Sequence, residues 1–226
     1  MIAVVGSPVG RRSSAGLRAA GLPVAIARAV VAAGGAAQLV GKLGEGTDAD
    51  AIALSLAADR IGHVALLRTP GPAAILAGEA SSAAEADGGL DRLAGLDGSD
   101  EPAGAARSDG PPTSSMDAGD LELALRYLPD YGVVVLAEPL DPVARSAAVE
   151  AARWSGATVI VVAAAGDESA SMAPEFATVL EAPSEDEEGA FASLVGRYAA
   201  ALDAGTPAAE AFASASAAVG WAAVSD

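Results

Sequence analysis

One lysine, Lys42, occurs in the whole sequence, and it falls within Gly41-Lys42-Leu43-Gly44-Glu45-Gly46. Glycines at that density let backbone amides approach a ligand, and a helix starting just beyond them favours an anion. Such a turn would hold a polar or phosphorylated small molecule. The plainer reading is a tight strand-to-helix turn whose glycines supply positive φ, and short glycine patterns do not choose between the two. Arg11 and Arg12 form a basic pair that could meet a phosphate or lie on the surface beside a loop. Glu181, Glu185, Asp186, Glu187 and Glu188 hold enough carboxylates for a hard cation. A run of this kind is more often a solvated helix cap, and no metal site is expected. His63 is the only histidine; at a strand start it reads as structural, and no Ser-His-Asp arrangement is visible. There is no cysteine, which excludes disulfides, thiolate metal sites and cysteine nucleophiles. Phe191, Leu194, Tyr198 and Leu202 recur at helical spacing and read as core.

The elements that must position these residues follow from the hydrophobic pattern. "IAVVG" (2–6) is a buried strand ended by Gly-Ser-Pro. "GLPVAIARAVVAAGG" is a helix with Pro23 in its first turn and Gly34-Gly35 at its end. "AAQLVG" is the next strand, and "EGTDADAIALSLAADRIG" a second helix with Thr47 or Asp48 as N-cap. "HVALLRT" and "AAILAG" are strands, or a hairpin around Pro70-Gly71-Pro72. From 79 to 119 the chain is rich in Gly, Ser, Ala, Pro and acid, the composition of a long loop, with one or two helical turns available at "LDRLAGL". Beyond it come a helix capped by Asp117 or Asp120, the strand "GVVVLAE" and a helix from Pro142 to Gly156. The strands "ATVIVVAAAG" and "FATVLEAP" and two closing helices complete the chain. Continuous apolar strands alternating with helices argue for a three-layer α/β fold, a mostly parallel sheet with helices on both faces. Residues 1–226 are expected to form one such domain, with 79–119 as a loop within it.

Composition bounds the rest. The 226 residues suffice for one substantial α/β domain or two small ones. Half of them are hydrophobic, much of that alanine, with few aromatics, so the core must be aliphatic. The formal net charge of −17 repels nucleic acid and anionic membrane surface, and neither is an expected partner. No apolar stretch reaches membrane-spanning length without Gly, Pro or charge. "MIAVVGSPVG" has no basic leader and reads as a first strand, so the expected compartment is the cytoplasm.

Ala20, Gly21, Pro23, Ala27, Gly34 and Gly44 fall in register with a signature of the ribokinase-like (PfkB) carbohydrate kinase family. "LVGKLGEG" resembles the glycine and lysine segment of that signature. Glu138-Pro139 stands at the place of a Glu-x-Pro motif, with the middle residue absent. The C-terminal "GAFASLVGRYAAALDAGTPAAEAFASASAAVG" resembles the family's long helix after the catalytic turn and its final helix. The resemblance covers most of the chain and implies a ribokinase-like fold. Its pocket would lie at the carboxyl ends of the strands, lined by Gly21, Gly41, Lys42 and Gly44, with Arg11 nearby.

The departures from the family's pattern fall on its chemistry. Active members carry Gly-Ala-Gly-Asp before Ala-Phe; its amides make an anion hole and its Asp is the general base. Here Asp186-Glu187-Glu188-Gly189 precedes Ala190-Phe191, so the base position is Gly189 and three carboxylates stand at the anion hole. Losing a positioned base removes about 10²–10⁴ in rate, and no catalytic residue is assigned. The signature asparagine is Ala25, and Arg11 stands near the place of a sugar-binding aspartate. Val162-Ala163-Ala164-Ala165 replaces Asn-Pro-Ala-Pro, and the Thr-x-Gly-x-x-Gly turn of the nucleotide side is not found. The chain is short between 6 and 20, where lid strands belong, and between 166 and 181, where nucleotide-side strands belong. The resemblance therefore implies a truncated relative with reduced lid and nucleotide-side strands. It would lack phosphoryl transfer, need no cofactor, and bind a small sugar-like or phosphorylated molecule or serve a regulatory or structural role. The alternatives are an active ATP- and Mg²⁺-dependent sugar or nucleoside kinase, and an oligomerisation module in which alanine-rich helices pack between copies.

Overall fold

The structure, a computed structural model, describes residues 1–14, 16–76, 115–166, 174, 176–184, 186 and 189–220. Most of the expected loop 79–119, including "LDRLAGL", lies outside the described residues. Nine strands and six helices are described: β1 (Ile2–Val5), β2 (Val9–Ser13), β3 (Gly16–Ala20), α1 (Leu22–Ala32), β4 (Ala37–Glu45), α2 (Thr47–Ala58), β5 (Gly62–Pro72), β6 (Ile75–Leu76), α3 (Ala118–Arg126), β7 (Val133–Leu136), α4 (Pro142–Ser155), β8 (Thr158–Ala164), β9 (Thr178–Ala182), α5 (Ala190–Asp203) and α6 (Ala208–Ala218).

The main sheet has six strands in the order β5-β4-β1-β7-β8-β9, all parallel. Strand alternation sends side chains to two cores. Ile2 and Val4, Val133 and Val135, and Ile160 pack with α1, α2, α5 and α6 on one face. Ala3 and Val5, Val134 and Leu136, and Val159 and Val161 pack with α3 and α4 on the other. This is the three-layer α/β architecture the sequence pattern predicts. Phe191, Leu194 and Tyr198 are buried in the first core, with Leu202 against it. No described helix is long and apolar enough to cross a membrane.

Local chemistry explains the helix limits. Asp117 and Asp120 make a reciprocal capping box at α3. Asp141 caps α4 through the amides of Val143 and Ala144, Pro142 opens it, and Gly156 closes it in the left-handed region. At α2 the expected cap is corrected: Gly46, with φ +96°, is the N-cap and Thr47 is already helical.

A second sheet, order β3-β2-β6, stands beside the first. β2 and β3 form an antiparallel hairpin, and β6 pairs parallel to β2. The segment 6–20, where the resemblance implies reduced lid strands, holds two five-residue strands, β2 and β3. The Pro70-Gly71-Pro72 segment makes no hairpin: β5 runs through it alongside β4, and the chain then crosses to the lid as β6.

Candidate functional site

The carboxyl ends of three neighbouring strands, β1, β4 and β7, meet at one point. β1 ends in Gly6-Ser7, β7 leads to Glu138, and Gly41-Lys42 lies beside Ser7. The Ser7 amide donates to Glu138 Oε2 at 2.9 Å, and the Lys42 amide donates to Ser7 Oγ at 3.1 Å. A Cβ on Gly41 would lie 2.6 Å from the Gly6 carbonyl oxygen and 2.9 Å from Ser7 Cα. Only glycine lets β4 pass the β1 turn this closely. The first turn of α1 closes the same point from above, since a Cβ on Gly6 would collide with the Pro23 ring. Gly21, φ +97°, is the N-cap of α1 and has no side chain to occupy the helix's first amides.

Glu138 gives this crevice its chemistry. Its Oε1 is buried and has no hydrogen-bond partner among the described residues. Burial raises the carboxyl above its ordinary value, with the Ser7 amide pulling the other way. A buried carboxyl with one satisfied oxygen and one bare oxygen is suited to a hydroxyl group, which can donate to an anion or accept from the acid.

The proposed pocket residues divide. Gly21 and Gly41 converge on this crevice; Lys42 brings only its backbone. The alternation that places Val40 in the α3–α4 core sends the Lys42 side chain the same way. Its Nζ pairs with Asp120 Oδ2 at 2.6 Å and donates to the Ser115 carbonyl at 3.0 Å, with 8 % of the residue exposed. Burial raises the Asp120 carboxyl, but hydrogen bonds from Lys42 and the Asp117 amide, with the lysine charge, outweigh it and hold it below its ordinary value. The lysine thus docks α3 on the sheet.

Gly41 to Gly44 are strand residues of β4, neither the anion-holding turn nor the tight strand-to-helix turn that the glycines suggest. Gly44 belongs to the lid junction: a Cβ there would lie 2.5–2.7 Å from the backbone of Gly71, Pro72 and Ala73. Its carbonyl accepts from Arg68 Nη1 at 3.1 Å. Arg11 is exposed on β2, directly across from Arg18. It shares a strand face with Val9, whose methyl lies near Gly21. Arg12 is tied to Asp48 at 2.9 Å. His63 Nδ1 lies 3.3 Å from the Ile61 carbonyl, a local contact at the start of β5.

The acidic turn stands at the same end of the sheet, where β9 leads into α5. Asp186 Oδ1 accepts from the Phe191 amide at 3.0 Å and Oδ2 from the Ala192 amide at 3.2 Å. Gly189 is the left-handed N-cap between them. The carboxylate therefore occupies the first-turn amides of α5. Glu187 and Glu188 lie outside the described residues. Glu181 accepts from the Gly166 amide at 2.8 Å. Among the described residues no group of three or more His, Cys, Asp or Glu side chains is placed to hold a metal ion. Ser7 and Asp120 escaped sequence reasoning: Ser7 was legible only as a strand-ending Gly-Ser-Pro, and Asp120 only as a helix cap.

The class the fold defines is a ribokinase-like three-layer α/β protein with a small β-sheet lid. No protein-family model matches the sequence, and comparison with curated proteins finds no match. Solved structures do match. The PfkB protein from Polaromonas sp. JS666 has a TM-score of 0.61 at 14 % identity, over 99 % of this chain and 95 % of that one. Phosphofructokinase-2 from Escherichia coli, in complex with fructose-6-phosphate, gives 0.60 at 12 %, over 96 % and 91 %. Aminoimidazole riboside kinase from Salmonella enterica gives 0.58 at 13 %, over 100 % and 94 %. At these identities the likeness is one of fold.

Proposed function

We propose that this chain binds a small polyhydroxylated molecule, sugar-like or nucleoside-like, at the Gly6–Ser7–Glu138 crevice and does not transfer phosphate to it. The observation that carries this reading is the Asp186 carboxylate on the amides of Phe191 and Ala192. The resemblance places the kinases' anion hole at the turn aligned with 186–189. Here Asp186 of that turn puts its carboxylate on the first free amides of α5 just beyond it, and Glu187 and Glu188 add more negative charge in sequence. These residues do not fit a nucleotide triphosphate with its metal, and no aspartate stands at the base position, Gly189. The binding half rests on the bare Glu138 Oε1, on the first turn of α1, and on the sugar-phosphate and riboside names of the fold neighbours. Arg11, on the lid face shared with Val9, is the residue in this reading for a ligand phosphate.

Two measurements test it. A thermal-shift panel of sugars, sugar phosphates and nucleosides is expected to raise the Tm for at least one compound, with the rise lost in Glu138→Ala. Calorimetry with ATP and Mg²⁺ is expected to give no binding heat. Micromolar ATP affinity would establish the alternative, an active kinase. A blank panel would favour a structural role.

A further inference from the structure

The end of the molecule away from the crevice holds a groove that the proposed function does not use. α3 leads into the start of β7 and α4 into the start of β8, so their last turns stand where the strands begin. Between them lies a groove of about 490 Å³ floored by Leu125, Leu128, Ala147 and Ala151. Trp154 stands on its rim 92 % exposed, and Tyr127, the residue that ends α3, is 74 % exposed. A tryptophan so exposed on a regular helix contributes almost nothing to folding, and burial against a partner is where its large apolar surface is stabilising.

The charges around it are balanced. Glu122 and Arg126 lie on α3, and Glu150 and Arg153 on α4; none forms an ion pair with a described residue, and Arg153 stacks over the Phe176 ring at 5.6 Å. Two acids and two bases make this patch neutral on a chain of net charge −17. Two copies repel one another over most of their surfaces, so a neutral patch bearing exposed aromatics is where approach costs least.

We propose that the groove is covered by a second copy of this chain, in a two-fold dimer with the α4 helices antiparallel. Plug and socket then share α4, and a two-fold axis satisfies both at once: each Trp154 enters the other copy's groove. An axis crossing α4 midway between Glu150 and Arg153 sets each Glu150 against the partner's Arg153, twice per dimer. The crevice stays open at the far end, so dimerisation and ligand binding are separable.

Sedimentation equilibrium of the full chain over about 1–100 µM is expected to give twice the chain mass in the upper part of that range. Trp154→Glu is expected to weaken the dimer by at least about 30-fold, the effect of losing a central aromatic anchor. Glu150→Arg alone weakens it by placing two arginines together, and adding Arg153→Glu restores it by reversing both charges. All three substitutions lie on exposed positions, and circular dichroism checks that each variant is folded. A wild-type chain that stays monomeric throughout overturns the proposal, as does a dimer indifferent to Trp154→Glu and to the charge swap.

Discussion

Glu138 and Asp120 are carboxyls that the fold shifts in opposite senses. Burial raises the Glu138 carboxyl. Between the ordinary value of 4.5 and its raised folded value, the folded state holds more protons than the unfolded one. Stability therefore falls as pH rises through that window, and the loss is complete above it. Glu138→Gln keeps an acceptor for Ser7 and removes the buried charge. Its Tm at pH 7 is expected to exceed wild type by about 2–4 °C, with the difference closing toward pH 4. A calorimetric pH series checks this; an unchanged or lower Tm at pH 7 would show that the carboxylate is not penalised. Asp120 behaves in reverse: its lowered value adds stability above the ordinary carboxylate range, lost as pH falls through the folded value. Lys42→Met strands Asp120 beside a buried face, and a loss of about 2–4 kcal/mol in urea unfolding is expected. Lys42→Met combined with Asp120→Asn should lose less than the single change, because no charge is left unpaired.

At the scale of elements, close packing outweighs intrinsic preference. α1 and α5 lie so near each other that a Cβ on Gly196 would come 2.5 Å from Ala29 Cβ and 2.8 Å from the backbone of Ile26 and Val30. Glycine to alanine inside a helix gains about 1 kcal/mol of propensity. Here the helices must separate first, and overpacking of this kind costs about 1–3 kcal/mol. Gly196→Ala is therefore expected to be neutral to destabilising, against the direction of propensity, and a clear rise in Cm would show that α1 and α5 pack more loosely. Asp186→Ala removes a two-amide cap from α5 and is expected to lose about 1 kcal/mol. The sequence marks the helices and strands well, because capping chemistry and apolar runs are local. It misreads the stretch from Gly41 to Gly44 because strand and turn both tolerate glycine. What keeps that stretch extended is its pairing with Leu66, Leu67 and Arg68 of β5, which lie beyond α2 in sequence.

For the whole molecule, the excess of negative charge sets the response to salt. At net charge −17 self-repulsion opposes compaction, and its screening is expected to raise the Tm as NaCl increases to about 0.5 M. Exposed ion pairs such as Arg12–Asp48 lose strength over the same range, but each is worth little. Scanning calorimetry over a salt series reads the balance, and a falling Tm would mean that the pairs dominate. The lid is the other feature of this scale. Its hairpin sets Val9 against Gly21 at the head of α1, and its third strand arrives from β5 by way of Pro72 and Ala73.

The sequence by itself determined the layered α/β class, the mostly parallel sheet implied by alternating strands and helices, the capping acids of α3, the Pro142 and Gly156 limits of α4, and the carboxylates at the head of α5. Each of these rests on short-range pattern: apolar periodicity, a capping side chain, a missing aspartate. Only the tertiary structure decided the rest. It turned Lys42 away from the crevice toward Asp120, drew Ser7 and Glu138 together across 131 positions of sequence, and raised a lid from a stretch with no strong strand signal. Those outcomes depend on which face of a strand a residue occupies and which distant strand lies beside it, and register of that kind is fixed by packing across the whole sheet.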